Sequence, residues 1–96
     1  MIVTIIGLGS IGKRHLKTLY SIKDKIGKLD IRVFDTNQNR YNEIAEFDVI
    51  ISKNIETSLE GSSIVFLCVP TSLHVEIYNK IKKQGNFHFF IEKPFS

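Results

Sequence analysis

The feature that most restricts the fold is a glycine-rich turn directly after a strongly apolar segment at the start of the chain. Residues 2–6 are apolar at nearly every position, which is typical of a strand buried on both faces. The turn then reads Gly7-Leu8-Gly9-Ser10-Ile11-Gly12. Beyond it, residues 12, 16, 19 and 20 share one face at helical spacing. Strand, glycine turn and amphipathic helix in this order predict the first unit of a parallel sheet.

The rest of the chain alternates short β-branched runs with amphipathic stretches, which predicts an α/β fold with a doubly wound, Rossmann-like parallel sheet. We expect further strands at 31–34, 49–52, 64–69 and 88–91, and helices near 39–47 and 72–84. Right-handed crossovers give five strands in the order 3-2-1-4-5, with helices on both faces. A chain of 96 residues supports a single core, so residues 1–96 form one domain.

Composition excludes several classes of function. The net charge of +3 is too small to indicate nucleic acid. The longest apolar run, 64–69, is far shorter than the roughly 20 residues that a membrane helix needs. Cys68 is the single cysteine, so no internal disulfide or thiolate metal cluster can form, and a reducing cytoplasm is expected. We expect Cys68 to be an inert, buried thiol inside its strand.

The glycine spacing has a chemical interpretation in this context. Gly7 permits a tight turn, Gly9 lets the backbone approach a pyrophosphate, and Gly12 lets the helix pack against the sheet. The N–H groups at the start of the helix, with the positive end of its dipole, favour bound phosphate. The candidate cofactor-binding residues are therefore Gly7, Leu8, Gly9, Ser10, Ile11 and Gly12. The alternative is a purely structural turn.

An acidic residue at the end of the second predicted strand strengthens this interpretation. Asp35, followed by Thr36, is placed where a carboxylate can accept from the ribose hydroxyls of NAD. A carboxylate would repel a 2′-phosphate, so NAD is favoured over NADP, although Arg40 could swing over the adenosine and weaken that preference. The alternative role for Asp35 is to cap the next helix.

In a doubly wound sheet the ligand lies at the carboxyl ends of the strands, where the order reverses between strands one and four. Val69, Pro70 and Thr71 close strand four at that edge and should flank the cofactor. His74 could cap the following helix or approach the cofactor. Lys93 follows strand five, where it could orient a substrate hydroxyl or stabilise charge. From position alone, a solvated lysine at a strand end is the preferred interpretation of Lys93.

Three motifs occur in a fixed order along the chain. The glycine loop is followed by His15, strand four ends in Cys68-Val69-Pro70-Thr71 with His74, and the last residues contain Glu92-Lys93-Pro94. This ordered set, which spans essentially all 96 residues, resembles the N-terminal half of the Gfo/Idh/MocA oxidoreductases.

The resemblance implies NAD(P)-dependent hydride transfer at a hydroxyl-bearing carbon of a sugar, cyclitol or nucleotide sugar. It also implies a catalytic role for Lys93 beside nicotinamide and substrate, with Glu92 and Pro94 next to it. Pro70, Thr71 and His74 would line the cofactor. Family members continue into a substrate-binding domain, so the resemblance implies that this chain is the cofactor-binding part of a longer enzyme and is inactive alone.

Two other classes share the opening loop. A non-catalytic NAD-binding regulatory module would begin in the same way, but it has no need of the Glu92-Lys93-Pro94 motif. A methyltransferase has a similar glycine loop and acid, but it would need a different turn after strand four. The oxidoreductase interpretation is therefore preferred.

Self-association is also expected. Strand five carries Phe87, Phe89 and Phe90, and without a following strand it forms an apolar edge that can recruit another chain. We therefore expect a homo-oligomer formed through this edge or through the surface around Phe95.

Overall fold

The computed structural model describes residues 1–69, 71–83 and 88–91. The strands are β1 (Ile2–Ile6), β2 (Asp30–Phe34), β3 (Ile50–Ile51), β4 (Ile64–Leu67) and β5 (His88–Ile91). The helices are α1 (Ser10–Ile26), α2 (Asn39–Asn42), α3 (Ile55–Leu59) and α4 (Thr71–Lys82). Within the described ranges, none of the helices has the length and apolarity needed to cross a membrane.

The strands form one parallel sheet in the order β3-β2-β1-β4-β5, which confirms the predicted fold class. β1 lies at the centre, where Ile5 pairs with Val33 of β2 on one side and Phe66 of β4 on the other. The chain leaves β1 toward β2 and later returns to its opposite side with β4. The order thus reverses beside β1, and this places the carboxyl end of β1 at a switch point.

Alternation along the strands divides the core into two layers, one on each face of the sheet. On one face Val3 and Ile5 pack with Leu16 of α1. On the other face Ile6 packs with Leu59 of α3 and with Ile77 of α4, which is partly buried. Helices therefore cover both faces, and every apolar residue of β1 after Ile2 is buried.

The helix α3 is an element that the apolar pattern did not predict. Its N-cap is Asn54, whose side-chain Oδ1 accepts from the N–H of Thr57 at 2.8 Å. At its end the guanidinium of Arg32 donates to the carbonyl oxygen of Glu60. The capping Asn54 is a start signal visible in the sequence. A helix of five residues has too few apolar positions to show a period.

Several predicted elements are shorter in the structure, among them the strand expected at 49–52, which covers only Ile50–Ile51. The helix expected near 39–47 is α-helical only at 39–42, and residues 43–46 continue in turns. There the N–H of Ile44 donates to the carbonyl oxygen of Tyr41, and the N–H of Phe47 donates to that of Ile44. Each bond joins residues three apart, whereas the bonds of an α-helix join residues four apart. β4 ends at Leu67, although the N–H of Cys68 still donates to Ile6 at 2.8 Å.

Candidate functional site

Two glycines of the opening loop are required by the backbone. Gly7 has φ of 98°, a conformation that residues with a Cβ rarely adopt. A Cβ there would lie 2.5 Å from the carbonyl oxygen of Cys68. A Cβ on Gly12 would overlap the carbonyl oxygen of Gly7 and lie 3.6 Å from Cβ of Cys68. Gly12 therefore lets α1 pack on the loop that precedes it as well as against the sheet.

Gly9 differs from the other two because, its chain neighbours aside, no atom of the described residues lies within 4 Å of a Cβ built on it. It is the N-cap of α1, and its carbonyl accepts the first helical bond, from Lys13 N–H at 2.9 Å. In the described part of the chain no side chain caps this helix end, and its first turn contains no acidic residue. The N–H groups of Ser10 and Ile11 thus lie at a positive helix end beside open space.

The carboxylate of Asp35 is tied to the glycine loop. Its Oδ2 accepts from the N–H of Leu8 at 2.6 Å, and its Oδ1 accepts from the N–H of Asn37 at 2.7 Å. The strand end is also joined to the loop, since Gly7 N–H donates to Phe34 at 2.8 Å. Because each carboxylate oxygen has two acceptor directions, both oxygens keep capacity for a further donor.

The alternative helix-capping role for Asp35 is not seen. The N-cap of α2 is Gln38, which makes no side-chain capping bond among the described residues. Asp35 instead closes a local turn onto Asn37, whose own Oδ1 accepts from the N–H of Asn39 at 3.0 Å.

A cleft of about 510 Å³ opens at the carboxyl ends of the strands. Seven of the residues predicted from sequence line it: Gly7, Gly9, Ser10, Ile11, Asp35, Thr36 and Val69. The predicted Leu8 and Gly12 are not on its wall. The side chain of Leu8 is fully buried, and its N–H donates to Asp35.

The remaining predicted residues are only partly described. Thr71 and His74 lie in the first turn of α4, which follows β4, but the structure describes only their backbone. Pro70, Glu92, Lys93 and Pro94 lie outside the described residues altogether.

Sequence reasoning missed part of the cleft wall, namely Ile6, Phe34, Asn37, Ile55, Cys68 and Ile77. Ile6 and Phe34 end their strands, so their positions alone could have indicated them. Ile55 comes from the unpredicted α3, and Ile77 from the middle of α4. The expectation of a buried Cys68 was wrong, because Cys68 is half-buried and lines the cleft.

The other residue named in the first motif packs as a structural side chain. The ring of His15 stacks on Phe66 with centroids 4.7 Å apart. This contact joins α1 to β4 on the face of the sheet that α1 covers.

A small charged network lies next to the cleft. Glu43 accepts from Lys13 Nζ at 3.0 Å and from Arg40 Nη1 at 3.4 Å. The hydrogen bond from Lys13, with the charges of both cations, lowers the pKa of Glu43 below its ordinary value. Arg40, which lines the cleft, therefore shares its charge with a neighbouring carboxylate.

The fold and sequence were compared with known proteins. A search of curated proteins gave no significant match. Among solved structures, UDP-N-acetylglucosamine 3-dehydrogenase from Acidithiobacillus ferrooxidans is 28% identical with a TM-score of 0.81, over 100% of this chain and 30% of its own. An NAD-binding protein from Listeria innocua is 26% identical with a TM-score of 0.74, over 97% of this chain and 27% of its own.

A third structure, the WlbA dehydrogenase of Chromobacterium violaceum in complex with NADH and UDP-GlcNAcA, is similar in fold. It is 21% identical with a TM-score of 0.77, over 98% of this chain and 27% of its own. The chain thus spans less than a third of the length of each of these proteins.

The sequence model of one family, described as the oxidoreductase family with an NAD-binding Rossmann fold, matches residues 1–96. This match covers the same residues that form the glycine loop, the strand-end acid and the cleft between them. The chain therefore belongs to the Gfo/Idh/MocA oxidoreductase family and is its NAD-binding Rossmann domain.

Proposed function

We propose that this chain binds NAD(H) in the cleft and is the coenzyme-binding part of a dehydrogenase that acts on sugars, cyclitols or nucleotide sugars. The observation that carries the proposal is the meeting of two complementary groups at one cleft. The uncapped start of α1 and the Asp35 carboxylate both lie on its wall. The first suits a pyrophosphate and the second suits ribose hydroxyls.

The loop fits a pyrophosphate on steric and electrostatic grounds. The open space at Gly9 leaves room for phosphate oxygens to approach the backbone. The N–H groups of Ser10 and Ile11 supply donors at the positive end of a helix of 17 residues. No acidic residue occurs in the first turn of α1 to oppose a bound anion.

The strand end fits an unmodified ribose. Asp35 accepts from two backbone N–H groups, keeps acceptor capacity, and lines the cleft together with Thr36. Ribose hydroxyls can donate to this carboxylate, whereas a 2′-phosphate would be repelled by it. Arg40 offsets this repulsion only in part, because Glu43 already pairs with it. We therefore assign NAD as the coenzyme in preference to NADP.

The catalytic assignment rests on the motif and not on described geometry. Lys93 is proposed as the catalytic lysine, with Glu92 and Pro94 beside it and with Pro70, Thr71 and His74 along the coenzyme. When bound, the nicotinamide supplies the hydride chemistry. A lysine at that position would orient the substrate hydroxyl or stabilise charge on its oxygen.

The substrate class is supported by two neighbours. One is by name a UDP-N-acetylglucosamine dehydrogenase, and another was solved with NADH and UDP-GlcNAcA. This chain spans about 30% of the first, and we propose that it is the part of such a dehydrogenase that binds the coenzyme. The cytoplasmic location and the homo-oligomer stay predictions.

The proposal can be tested through Cys68, the single cysteine, which lines the cleft. We expect saturating NADH to slow the alkylation of Cys68 by N-ethylmaleimide several-fold, because the coenzyme would cover the thiol. The measurement is the rate of mass increase of the intact protein, with and without NADH.

A matched control uses the same chemistry at a remote site. In the double variant Cys68→Ser, Lys17→Cys, the only thiol lies on the exposed side of α1, where NADH should leave its alkylation rate unchanged. Equal alkylation of Cys68 with and without NADH, together with no heat of binding in a titration, would show that the cleft does not hold the coenzyme.

A further inference from the structure

The hydroxyl of Tyr41 makes two hydrogen bonds to the backbone of a single residue, Asp35. Tyr41 Oη accepts from the N–H of Asp35 at 2.9 Å and donates to its carbonyl oxygen at 2.9 Å. A phenol has one proton and accepting lone pairs, so both bonds can form at once. The phenol therefore clamps both backbone groups of the residue that follows β2.

This clamp acts where the sheet stops supporting the chain. Asp35 is one residue past the end of β2, and both of its bonds to Tyr41 are partly buried. A partly buried backbone group that loses its partner is costly, so these bonds favour one backbone conformation at Asp35. With the backbone held, the side chain points so that Oδ2 reaches the N–H of Leu8 at 2.6 Å.

The clamp is anchored to the core. The ring of Tyr41 packs against the buried cluster that contains Val33 and Ile44. The other local support for Asp35 is the turn onto Asn37, which is itself exposed. Of these two supports, Tyr41 is the one that transmits the rigidity of the core to the carboxylate.

We propose that Tyr41 is a positioning residue for Asp35, holding its carboxylate against the glycine loop and in the direction of the ribose. The inference rests on the proposed NAD-binding function for its effect on coenzyme choice. The expected effect of Tyr41 on the glycine loop of the ligand-free chain does not depend on that function. Because Asp35 is the group that discriminates ribose from 2′-phosphoribose, a less firmly held Asp35 should lower the affinity for NADH more than the affinity for NADPH.

The test compares Tyr41→Phe with Tyr20→Phe. Tyr20 packs against the same cluster, and its Oη likewise accepts a backbone bond, from Asp48 N–H at 3.3 Å. Each variant thus removes one hydroxyl from a partly buried tyrosine, but only Tyr41 contacts Asp35. Both variants keep the ring and its packing.

The first measurement is hydrogen exchange of the Leu8 amide in the ligand-free chain. If Asp35 loosens, its bond to Leu8 weakens, and we expect exchange about five- to tenfold faster in Tyr41→Phe, the effect of losing one hydrogen bond. Tyr20→Phe should leave the Leu8 rate unchanged. Unchanged Leu8 exchange in Tyr41→Phe would overturn the proposal, whether or not the chain binds NADH.

The second measurement is titration with NADH and with NADPH. Tyr41→Phe should raise the Kd for NADH about five- to tenfold and leave the Kd for NADPH nearly unchanged. In an Asp35→Ala background the same change should have no further effect on NADH binding, since the group it positions is gone. Equal weakening of both coenzymes would identify a merely structural tyrosine. Failure of the unaltered chain to bind NADH would contradict the proposed function instead, and the exchange measurement would still decide the role of Tyr41.

Discussion

Gly12→Ala is expected to lower the stability of this protein more than any other single methyl addition to the glycine loop. The new Cβ would overlap the carbonyl oxygen of Gly7, which is backbone and cannot rotate away. Gly7 is itself held by its N–H bond to Phe34 at 2.8 Å. Helix α1 would have to move off the loop, at a cost of about 3 kcal/mol or more.

The measurement is thermal unfolding followed by circular dichroism. For a domain of this size, a loss of about 3 kcal/mol corresponds to a decrease in Tm of roughly 12–24 °C. Such a loss is a large part of a stability of about 5–15 kcal/mol, so the folded fraction at 37 °C should also fall.

Gly9→Ala is the matched control, with the same added methyl three residues earlier. Gly9 has φ of −69° and ψ of −165°, which alanine adopts, and no described atom would touch the new Cβ. We therefore expect a Tm within about 2 °C of the unaltered chain. On the proposed function the methyl enters the pyrophosphate space, and NADH affinity should fall more than about tenfold. Equal Tm losses in the two variants would contradict this division of roles.

Asp35→Ala is expected to have the largest effect on coenzyme choice. The carboxylate can accept from ribose hydroxyls, and hydrogen bonds to a charged group contribute about 1.5–3 kcal/mol each. NADH affinity should therefore fall about 10- to 100-fold, while NADPH affinity should stay level or rise because the repulsion of the 2′-phosphate is removed. Calorimetric titration with both coenzymes measures the two effects in one series.

Asp30→Ala controls for the loss of a negative charge on the same strand. Asp30 is exposed and begins β2, at the opposite end from the cleft. Its removal should leave both affinities unchanged. If Asp35→Ala bound NADH as tightly as Asp30→Ala, Asp35 would have no part in ribose recognition.

Much of the fold could be predicted because its signals are local. The apolar run of β1 predicts a buried strand, and the helical spacing of Leu16, Leu19 and Tyr20 predicts the buried face of α1. Both predictions need only the periodicity of neighbouring residues. The strand order followed from alternation of strands and helices together with the chirality of crossovers. The helix α3 was missed because its five residues are too few to show a helical period, and because the bond from Arg32 at its end comes from a strand distant in sequence.

The candidate site was predictable only in part, for a similar reason. Glycine spacing and an acid after a strand identified the loop and Asp35, and the cleft contains both. The expected buried position of Cys68 was wrong, because alternation along β4 does not reveal that the cleft opens beside its end. Ile55 and Ile77 join the wall from helices whose placement depends on packing across the sheet.

The amino-acid sequence by itself determined where glycine is required. The positive φ of Gly7 and the close approach of Gly12 to the carbonyl oxygen of Gly7 are both properties of one short backbone segment. It also determined the parallel sheet, since the nearly continuous apolar runs of β1 and β4 are typical of strands that are covered on both faces. Only the tertiary structure decided that the Asp35 carboxylate bonds to Leu8 and that Tyr41 holds Asp35 from its core-packed ring. The bond between Asp35 and Leu8 joins the end of β2 to the glycine loop. This bond and the contacts of Tyr41 with Asp35 depend on angles and distances that are set only when the core is packed.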